Sequence, residues 1–220
     1  MIFKFSGLFL IMAGFIISGC SGKGKLNFPV KVRRTLRTGD IILQDLDCGK
    51  MCTAIEKATH VKGFGNVSHM GVYVEIEGKG AVIEAYGKVK ITPVNEFLSR
   101  STDSGGIPKI HILRLDKKFT SIIPFFIAEL KKRLDSPYDD DFLPDNGKYY
   151  CSELVSDSLL SLGLHIMPRM PMSFGKKGSF SRKVFTEYFE KKQMNIPDGK
   201  PGTNPAMLLS SPDFYVIWKH

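Results

Sequence analysis

KYYCSELV, at residues 148–155, is the predicted working centre of the chain, because it places one cysteine where a turn gives way to a helix. The preceding PDNG, residues 144–147, is dense in turn formers, and leucine and valine then recur at helical spacing through residues 154–162. Cys151 is therefore predicted to lie in the first turn of a helix. Unpaired backbone N–H groups and the positive end of the helix dipole favour a thiolate there and can stabilise an oxyanion. This setting suits a nucleophile, and it equally suits a buried cysteine that serves as a small apolar residue.

A thiol nucleophile needs a base within hydrogen-bonding distance and a third group that orients this base. Among the histidines, His69 differs from the others because it opens a predicted β-hairpin whose returning strand carries Glu84. Side chains on opposed strands lie about 5 Å apart, so a carboxylate at this position can fix the imidazole tautomer. We expect the thiol of Cys151 and a ring nitrogen of His69 to lie within about 4 Å, or one rotamer change, of each other. The alternative is a structural histidine beside a solvated glutamate.

The rest of the chain predicts short strands and helices around these motifs. Residues 78–80 (GKG) are predicted to form the hairpin turn. Residues 167–178, rich in methionine, proline, glycine and lysine, are predicted to form a loop or flap that builds the substrate pocket. The expected strands cover residues 41–44, 68–76, 81–86, 89–91, 109–115 and 214–218, and the expected helices cover residues 52–59, 93–98, 121–134 and 184–192.

The N-terminus has the pattern of an export signal. Lys4 precedes an apolar run over residues 8–17, which is too short to span a membrane, and ISGC at residues 17–20 ends this run with small residues and a cysteine. An aliphatic residue, two small residues and Cys resemble the bacterial lipobox, in which the cysteine is lipidated and becomes the first residue. We therefore expect a lipid on Cys20, and the alternative is an ordinary cleavage site that ends in cysteine.

This interpretation divides the chain into a signal peptide (residues 1–19), a basic linker (residues 20–37) and one catalytic domain (residues 38–220). The formal net charge is +9, and basic residues crowd the linker, which suits a tether close to an anionic membrane. The sequence has no nucleic-acid recognition motif, and an exported protein meets little nucleic acid. No nucleic-acid partner is therefore expected.

Cys48 and Cys52 form the remaining cysteine pair. A disulfide between them fits an oxidising compartment, but it requires Cys48 to precede the helix, because two positions four apart within one helix do not suit the bond. Two free thiols are the alternative. Zinc, with His60 nearby, ranks below both, since no second pair of ligands occurs at a usual spacing. We expect no metal and no other cofactor.

Four motifs in one order resemble those of a known family. They are GDI at residues 39–41, SHMGVY at residues 68–73, VIEA at residues 82–85 and YYCSELV at residues 149–155. The set resembles the circularly permuted branch of the NlpC-type, papain-like hydrolases, the YaeF/YiiX-like proteins, in which the cysteine helix follows the other motifs instead of preceding them. The resemblance implies an α+β fold, with a small antiparallel sheet or half-barrel packed against the cysteine helix.

The resemblance also assigns roles to residues. It implies that Cys151 is the nucleophile, that His69 is the general base, and that Glu84 is the third polar group, at a place where relatives often have His, Asn or Gln. Tyr150 would help line the oxyanion pocket, and Asp40 would cap a turn near the site.

The resemblance and the predicted export together indicate a membrane-anchored lipoprotein hydrolase of the cell envelope, on the periplasmic face and acting as a monomer. An amide bond in cell-wall peptides is the expected target. A lipid acyltransferase or lipase-like thiol enzyme is the second hypothesis, since the related lecithin retinol acyltransferase group shares the permuted order. A non-catalytic binding module is the third. A narrow pocket lined by charged groups would favour peptide ends, and a wide groove lined by methionine and phenylalanine would favour acyl chains.

Overall fold

The computed structural model describes residues 28–220, so the predicted signal peptide and Cys20 lie outside the described residues. Within residues 28–220, no helix is both long enough and apolar enough to cross a membrane. The helices are α1 (Val30–Arg33), α2 (Lys50–Ala58), α3 (Val94–Ser99), α4 (Ile123–Lys132), α5 (Cys151–Leu160) and α6 (Phe180–Lys191), with 3₁₀ helices at Lys117–Ile122 and Pro205–Ser210. The strands are β1 (Ile41–Gln44), β2 (His69–Ile76), β3 (Lys79–Tyr86), β4 (Lys88–Pro93), β5 (Ile110–Leu115), β6 (Met170–Pro171), β7 (Pro201–Gly202) and β8 (Phe214–Lys219).

The main sheet of the described chain is antiparallel, with strand order β4-β3-β2-β1-β5-β8. Strands β2, β3 and β4 follow one another through short turns, whereas β1 lies between β2 and β5 and is buried over its whole length. A separate two-stranded ladder joins β6 to β7. This arrangement of an antiparallel sheet with packed helices confirms the predicted α+β class.

One face of the sheet carries the largest apolar cluster. Because successive residues of a strand point to opposite faces, Ile41, Val72 and Ile83 share this face. They pack with Phe126 of α4 and Leu154 of α5. The apolar positions that predict α5 are therefore the ones that hold the cysteine helix against the sheet.

The opposite face is covered by α3 and the N-terminal segment. Ile42 of β1 packs there with Phe97 and Leu98 of α3. A third cluster lies between α2 and α6, where Phe189 of α6 packs with Phe174 from the preceding loop. This third cluster joins the predicted flap to two helices, so that the flap is packed against the rest of the structure.

Two element boundaries differ from the predictions for local reasons. The hairpin turn lies at Glu77 and Gly78, with φ angles of 51° and 73°, instead of at residues 78–80. A two-residue turn of this kind needs a positive φ at both positions, and a glutamate rarely adopts it, so the sequence pointed to the glycines. The last helix begins at Phe180, earlier than predicted, because the side chain of Ser179 accepts a backbone N–H and caps it.

Cys48 and Cys52 form a disulfide, with their Cα atoms 5.4 Å apart. Gly49 is the N-cap of α2 and the helix begins at Lys50, so Cys48 precedes the helix as the bond requires. The bond therefore fastens the chain that enters α2 to the first turn of that helix.

Asp40 caps a turn, as expected, but this turn is distant from His69. The Asp40 carboxylate accepts the backbone N–H of Arg37 at 2.8 Å and pairs with Arg114 at 2.7 Å. His69 lies opposite Gln44, at the other end of β1. Four residues of extended strand correspond to about 13 Å. The expected position near the site is therefore wrong, and Asp40 fixes the far end of the strand.

Candidate active site

Cys151 is the first residue of α5, as predicted, and it is a buried free cysteine. Tyr150 is the extended N-cap residue, and its carbonyl accepts the backbone N–H of Leu154 at 3.0 Å, which closes the first helical turn. The backbone N–H of Cys151 precedes the first intrahelical donor and has no helical partner. The thiol therefore lies beside a free donor at the positive end of the helix.

The loop before Cys151 is fixed by one buried carboxylate. Asp139 accepts the backbone N–H groups of Asp141 at 3.0 Å and Leu143 at 2.8 Å, and the side-chain amide of Asn146 at 3.1 Å. These bonds hold the turn formers in one conformation. The loop consequently holds the start of α5 in a fixed position against the sheet.

His69 is the first residue of β2, and its side chain is almost fully buried. Its Nε2 lies 2.7 Å from Oε2 of Glu84, and the ring lies between Tyr86 and Phe97, with centroid separations of 5.8 Å to each. The bond to Glu84 is made through Nε2, and the thiol of Cys151 is close enough to the ring to help raise the pKa of His69. The structure thus brings together the three residues that the sequence singled out.

The protonation state of His69 follows from these contacts. Burial lowers the pKa of His69, but hydrogen bonding and charge interaction with Cys151 and Glu84 outweigh it and raise the pKa to about 9. At neutral pH the ring is therefore an imidazolium. An imidazolium at this position can supply a proton to a leaving group.

Glu84 is fully buried and is the most heavily bonded carboxylate of the site. Besides His69, it accepts the hydroxyl of Thr92 at 2.5 Å and both terminal guanidinium nitrogens of Arg100, at 2.7 and 2.6 Å. Burial raises the pKa of Glu84, but the bonds and charges of His69 and Arg100 hold it well below its usual range. Glu84 therefore carries a negative charge at every pH at which the protein is expected to work.

Sequence reasoning missed Arg100 and Thr92. Arg100 is the C-cap of α3, and its guanidinium lies 4.3 Å from the ring centroid of Tyr86 and 5.5 Å from that of Phe97. The stacking fixes the plane of the guanidinium and so aims its paired donors at the carboxylate of Glu84. No motif links an arginine after a short helix to a strand residue, so the pairing has no local signal.

The packing of β2 against β3 explains why the SHMGVY motif has a small residue, Gly71. A Cβ on Gly71 would overlap Cγ1 of Val82 and would lie 3.2 Å from Cβ of Glu84. The glycine thus allows β3 to bring the carboxylate of Glu84 close to β2, beside His69. The motif needs glycine here because the two backbones must approach closely.

Tyr150 is buried and lines the cavity next to Cys151, and its hydroxyl contacts Thr203. It accepts the backbone N–H of Thr203 at 2.8 Å and lies 3.4 Å from the Thr203 hydroxyl. The side chain therefore connects the N-cap of α5 to the segment that follows β7. The Tyr150 hydroxyl accepts in both contacts, so its own proton remains available, and the backbone N–H of Cys151 is a second candidate donor for an oxyanion.

Glu153, two residues after Cys151, is buried as well. Burial, with the nearby carboxylates of Asp157 and Asp139, raises the pKa of Glu153 to about 8. At neutral pH its carboxyl is mostly protonated. No negative charge of Glu153 therefore opposes a thiolate at the start of α5.

A cavity of about 230 Å³ opens beside Cys151. Part of its wall comes from residues 170–174, inside the segment predicted as a flap, and part from α2 and from residues 202–205. The large apolar side chains that line it are Met170, Met172, Met207, Phe142, Phe174 and Phe185. The cavity is the natural position for the substrate group next to the reacting carbonyl.

The chain is similar to known proteins over most of its length. Residues 35–218 match the family described as "Permuted papain-like amidase enzyme, YaeF/YiiX, C92 family". The chain belongs to this family. The resemblance predicted from four motifs is confirmed, and the chain is accordingly assigned to the papain-like amidases, which are hydrolases.

Two relatives show the extent of the family likeness. The uncharacterized protein YiiX of Escherichia coli (strain K12) is 28% identical over 185 residues, which cover 83% of this chain and 86% of that protein. The crystal structure of metalloprotein yiiX from Escherichia coli O157:H7 has a TM-score of 0.71 and 26% sequence identity, and the match covers 84% of this chain and 97% of that one. The permuted order is visible in the fold, because α5 follows the strand of His69.

That relative is described as a metalloprotein, and the metal-binding side chains of this chain can be compared with what a metal requires. Within residues 28–220, no group of three or more His, Cys, Asp or Glu side chains is arranged so that it could hold a metal ion. His69 already has Glu84 at one nitrogen and Cys151 beside the ring. The donor set of the described residues does not fit a metal centre, and no step is assigned to one.

The pH dependence of the site gives a first prediction. Because the pKa of His69 is raised from 6.5 to about 9, the stabilising charge interaction is complete below about pH 6.5 and is lost as the pH rises through about 9. Activity should therefore decline on an alkaline limb near pH 9. Glu84→Gln removes one charge that raises the pKa of His69, so the limb should move down by about one pH unit or more. Glu75→Gln, on the exposed part of the same hairpin, is the control, and an unmoved limb in Glu84→Gln would contradict the assignment.

Removal of Arg100 should instead change the pH dependence of stability and activity in the acidic range. Arg100 lowers the pKa of Glu84, so the charge interactions of Glu84 are present above its usual pKa of 4.5 and are lost as the pH falls. In Arg100→Ala the pKa of Glu84 should rise, and both stability and activity should fail at a higher pH on acidification. Arg100→Lys keeps the charge and should shift the acid limb less. Denaturation midpoints and activity, measured from pH 4 to pH 8, test this, and identical acid limbs in all three proteins would rule out the role of Arg100.

Proposed function

We propose that the chain is a cysteine amidase of the cell envelope that works through a Cys151-His69-Glu84 triad. The observation that carries the proposal is the buried His69 ring, which is bonded to Glu84 and lies near the thiol at the start of α5. This arrangement supports the roles of nucleophile, of general acid and base, and of orienting group for the three residues.

The reaction follows from these positions. The sulfur of Cys151 attacks the carbonyl carbon, the carbonyl electrons move onto oxygen, and the free backbone N–H at the start of α5 stabilises the oxyanion. As the C–N bond breaks, the Nδ1 proton of His69 passes to the leaving amine and an acyl-enzyme remains. Water then gives a proton to His69 and adds to the acyl carbon. The C–S bond breaks and releases the carboxylic acid and the thiolate.

The envelope location and the substrate are part of the same proposal. The family description as an amidase supports the amide bond, and the lipobox pattern ending at Cys20 supports a lipid anchor. The basic linker would add attraction to an anionic membrane surface. Cell-wall peptides are the abundant amides at that location, which makes them the first substrates to test.

Replacing the nucleophile gives the direct test. Cys151→Ala should lower kcat/KM by at least about 10⁴-fold while the melting temperature stays close to that of the wild type, because only one small group is removed. Ser161→Ala, at the other end of α5, is the matched control and should keep its activity. Without reductant, iodoacetamide should label Cys151 rapidly and leave Cys48 and Cys52 unlabelled. Full turnover in Cys151→Ala, or labelling as slow as that of an ordinary thiol, would refute the triad.

The predicted lipid anchor on Cys20 can be tested separately from amide hydrolysis. Cys20→Ser should move the protein from the membrane fraction to the soluble fraction at high salt, because salt screens the attraction of the basic linker. The activity of the released protein on a small amide should equal that of the wild type. If Cys20→Ser stays on the membrane in high salt, something other than a lipid on Cys20 anchors the chain.

A further inference from the structure

Apart from the reacting thiol of Cys151, no charged side chain among residues 28–220 lines the cavity beside it. Its apolar part comes from methionines and aromatic residues, including Met172, Phe142 and Phe174, and its polar part consists of neutral groups such as the hydroxyls of Ser68 and Thr203. Arg169, the neighbour of the wall residue Met170 in the chain, pairs with Asp157. A substrate group that enters the cavity therefore meets no ionic partner other than Cys151 and His69, which act on the scissile carbonyl.

This composition discriminates between substrates. A carboxylate or ammonium group that enters the cavity loses its water and gains no counter-ion, which is strongly unfavourable. An apolar group gains from the same transfer, by about fourfold in affinity for each methylene that is buried. The cavity wall therefore disfavours charged substrate groups and favours substrate groups with a large apolar surface.

The width of the cavity is set by Met172 and Gly202. A Cβ on Gly202 would overlap the side chain of Met172 and would lie 2.9 Å from the hydroxyl of Tyr150. Met172 therefore occupies the space that a side chain at position 202 would take. The resulting volume of about 230 Å³ is below the roughly 300–1,000 Å³ of sites for drug-sized ligands, so the cavity fits one narrow group.

We propose that this cavity binds an uncharged, apolar group attached to the scissile carbonyl of the substrate. An aliphatic acyl chain and an apolar amino-acid side chain share this chemistry. The inference rests on the proposed function, and it uses the same step: the C–S bond to Cys151 forms, the C–N bond breaks, and the proton of His69 goes to the amine. Cell-wall peptides meet this requirement only where the residue next to the scissile bond is uncharged.

Acyl derivatives of one fluorogenic amine, 7-amino-4-methylcoumarin, test the inference with the full-length protein in lipid vesicles. The series is acetyl, butanoyl, hexanoyl and octanoyl, with 7-carboxyheptanoyl as the charged match of octanoyl. We expect kcat/KM to rise about fourfold per methylene until the cavity is full. The terminal carboxylate should lower it by about 100-fold or more. Blocked leucine, lysine and glutamate amides of the same amine form the second arm.

The two arms distinguish the sources of the apolar group. A higher kcat/KM for the octanoyl amide than for the leucine amide would identify an acyl chain. A higher kcat/KM for the leucine amide would identify an amino-acid side chain. Either result supports an uncharged, apolar group. Equal or faster turnover of 7-carboxyheptanoyl, lysine or glutamate amides would overturn the inference.

Variants connect the preference to the cavity wall. Met172→Lys introduces a positive charge and should narrow the ratio between octanoyl and 7-carboxyheptanoyl by at least about tenfold, whereas Met172→Leu should keep the ratio. Phe125→Lys, on α4, is the control, because Phe125 is 63% exposed and does not line the cavity. If Met172→Lys does not fold, Met170→Lys replaces it, since Met170 lines the cavity and is 52% exposed.

The two proposals fail in different ways. If no amide of either arm is hydrolysed and iodoacetamide labels Cys151 slowly, the proposed function is refuted. If amides are hydrolysed and Cys151 labels rapidly, but charged groups are preferred or Met172→Lys leaves the ratio unchanged, the triad stands and only the cavity inference is refuted.

Discussion

The site depends on one buried negative charge. An ionised carboxylate inside a protein is strongly unfavourable unless charged partners and hydrogen bonds replace its water. Glu84 obtains this compensation from Arg100, Thr92 and His69, which come from the end of α3, from β4 and from β2. The carboxylate thereby joins three elements at one end of the sheet. Together with Cys151, it also raises the pKa of His69.

The order of the strands follows the same requirement. β3 lies between β2 and β4, so Glu84 has His69 on one side and Thr92 on the other, and α3 follows β4 directly and brings Arg100 over the same face. The helix of Cys151 packs on the other face and reaches His69 where β2 begins. The sheet therefore acts as the frame between a charged cluster and a helix N-terminus. Neither half alone would make a nucleophile.

Much of this could be predicted from the sequence, because the relevant signals are local. Alternation of apolar residues gives the strands, helical spacing gives α5, and Cys151, His69 and Glu84 each lie within a short motif. Arg100 and the neutral cavity could not be predicted, because they depend on contacts between segments that are distant in the chain. The turn at Glu77 was shifted by one residue because a non-glycine residue adopts a positive φ there.

The permuted order has a consequence for how the protein folds. The meander of β2, β3 and β4 contains only contacts between neighbouring segments, and such local pairing forms quickly. Docking of α5 closes a much longer loop, and β8 must then return from the end of the chain to complete the sheet beside β5. The hairpin that pairs His69 with Glu84 therefore closes a short loop, whereas bringing Cys151 to His69 closes a much longer one.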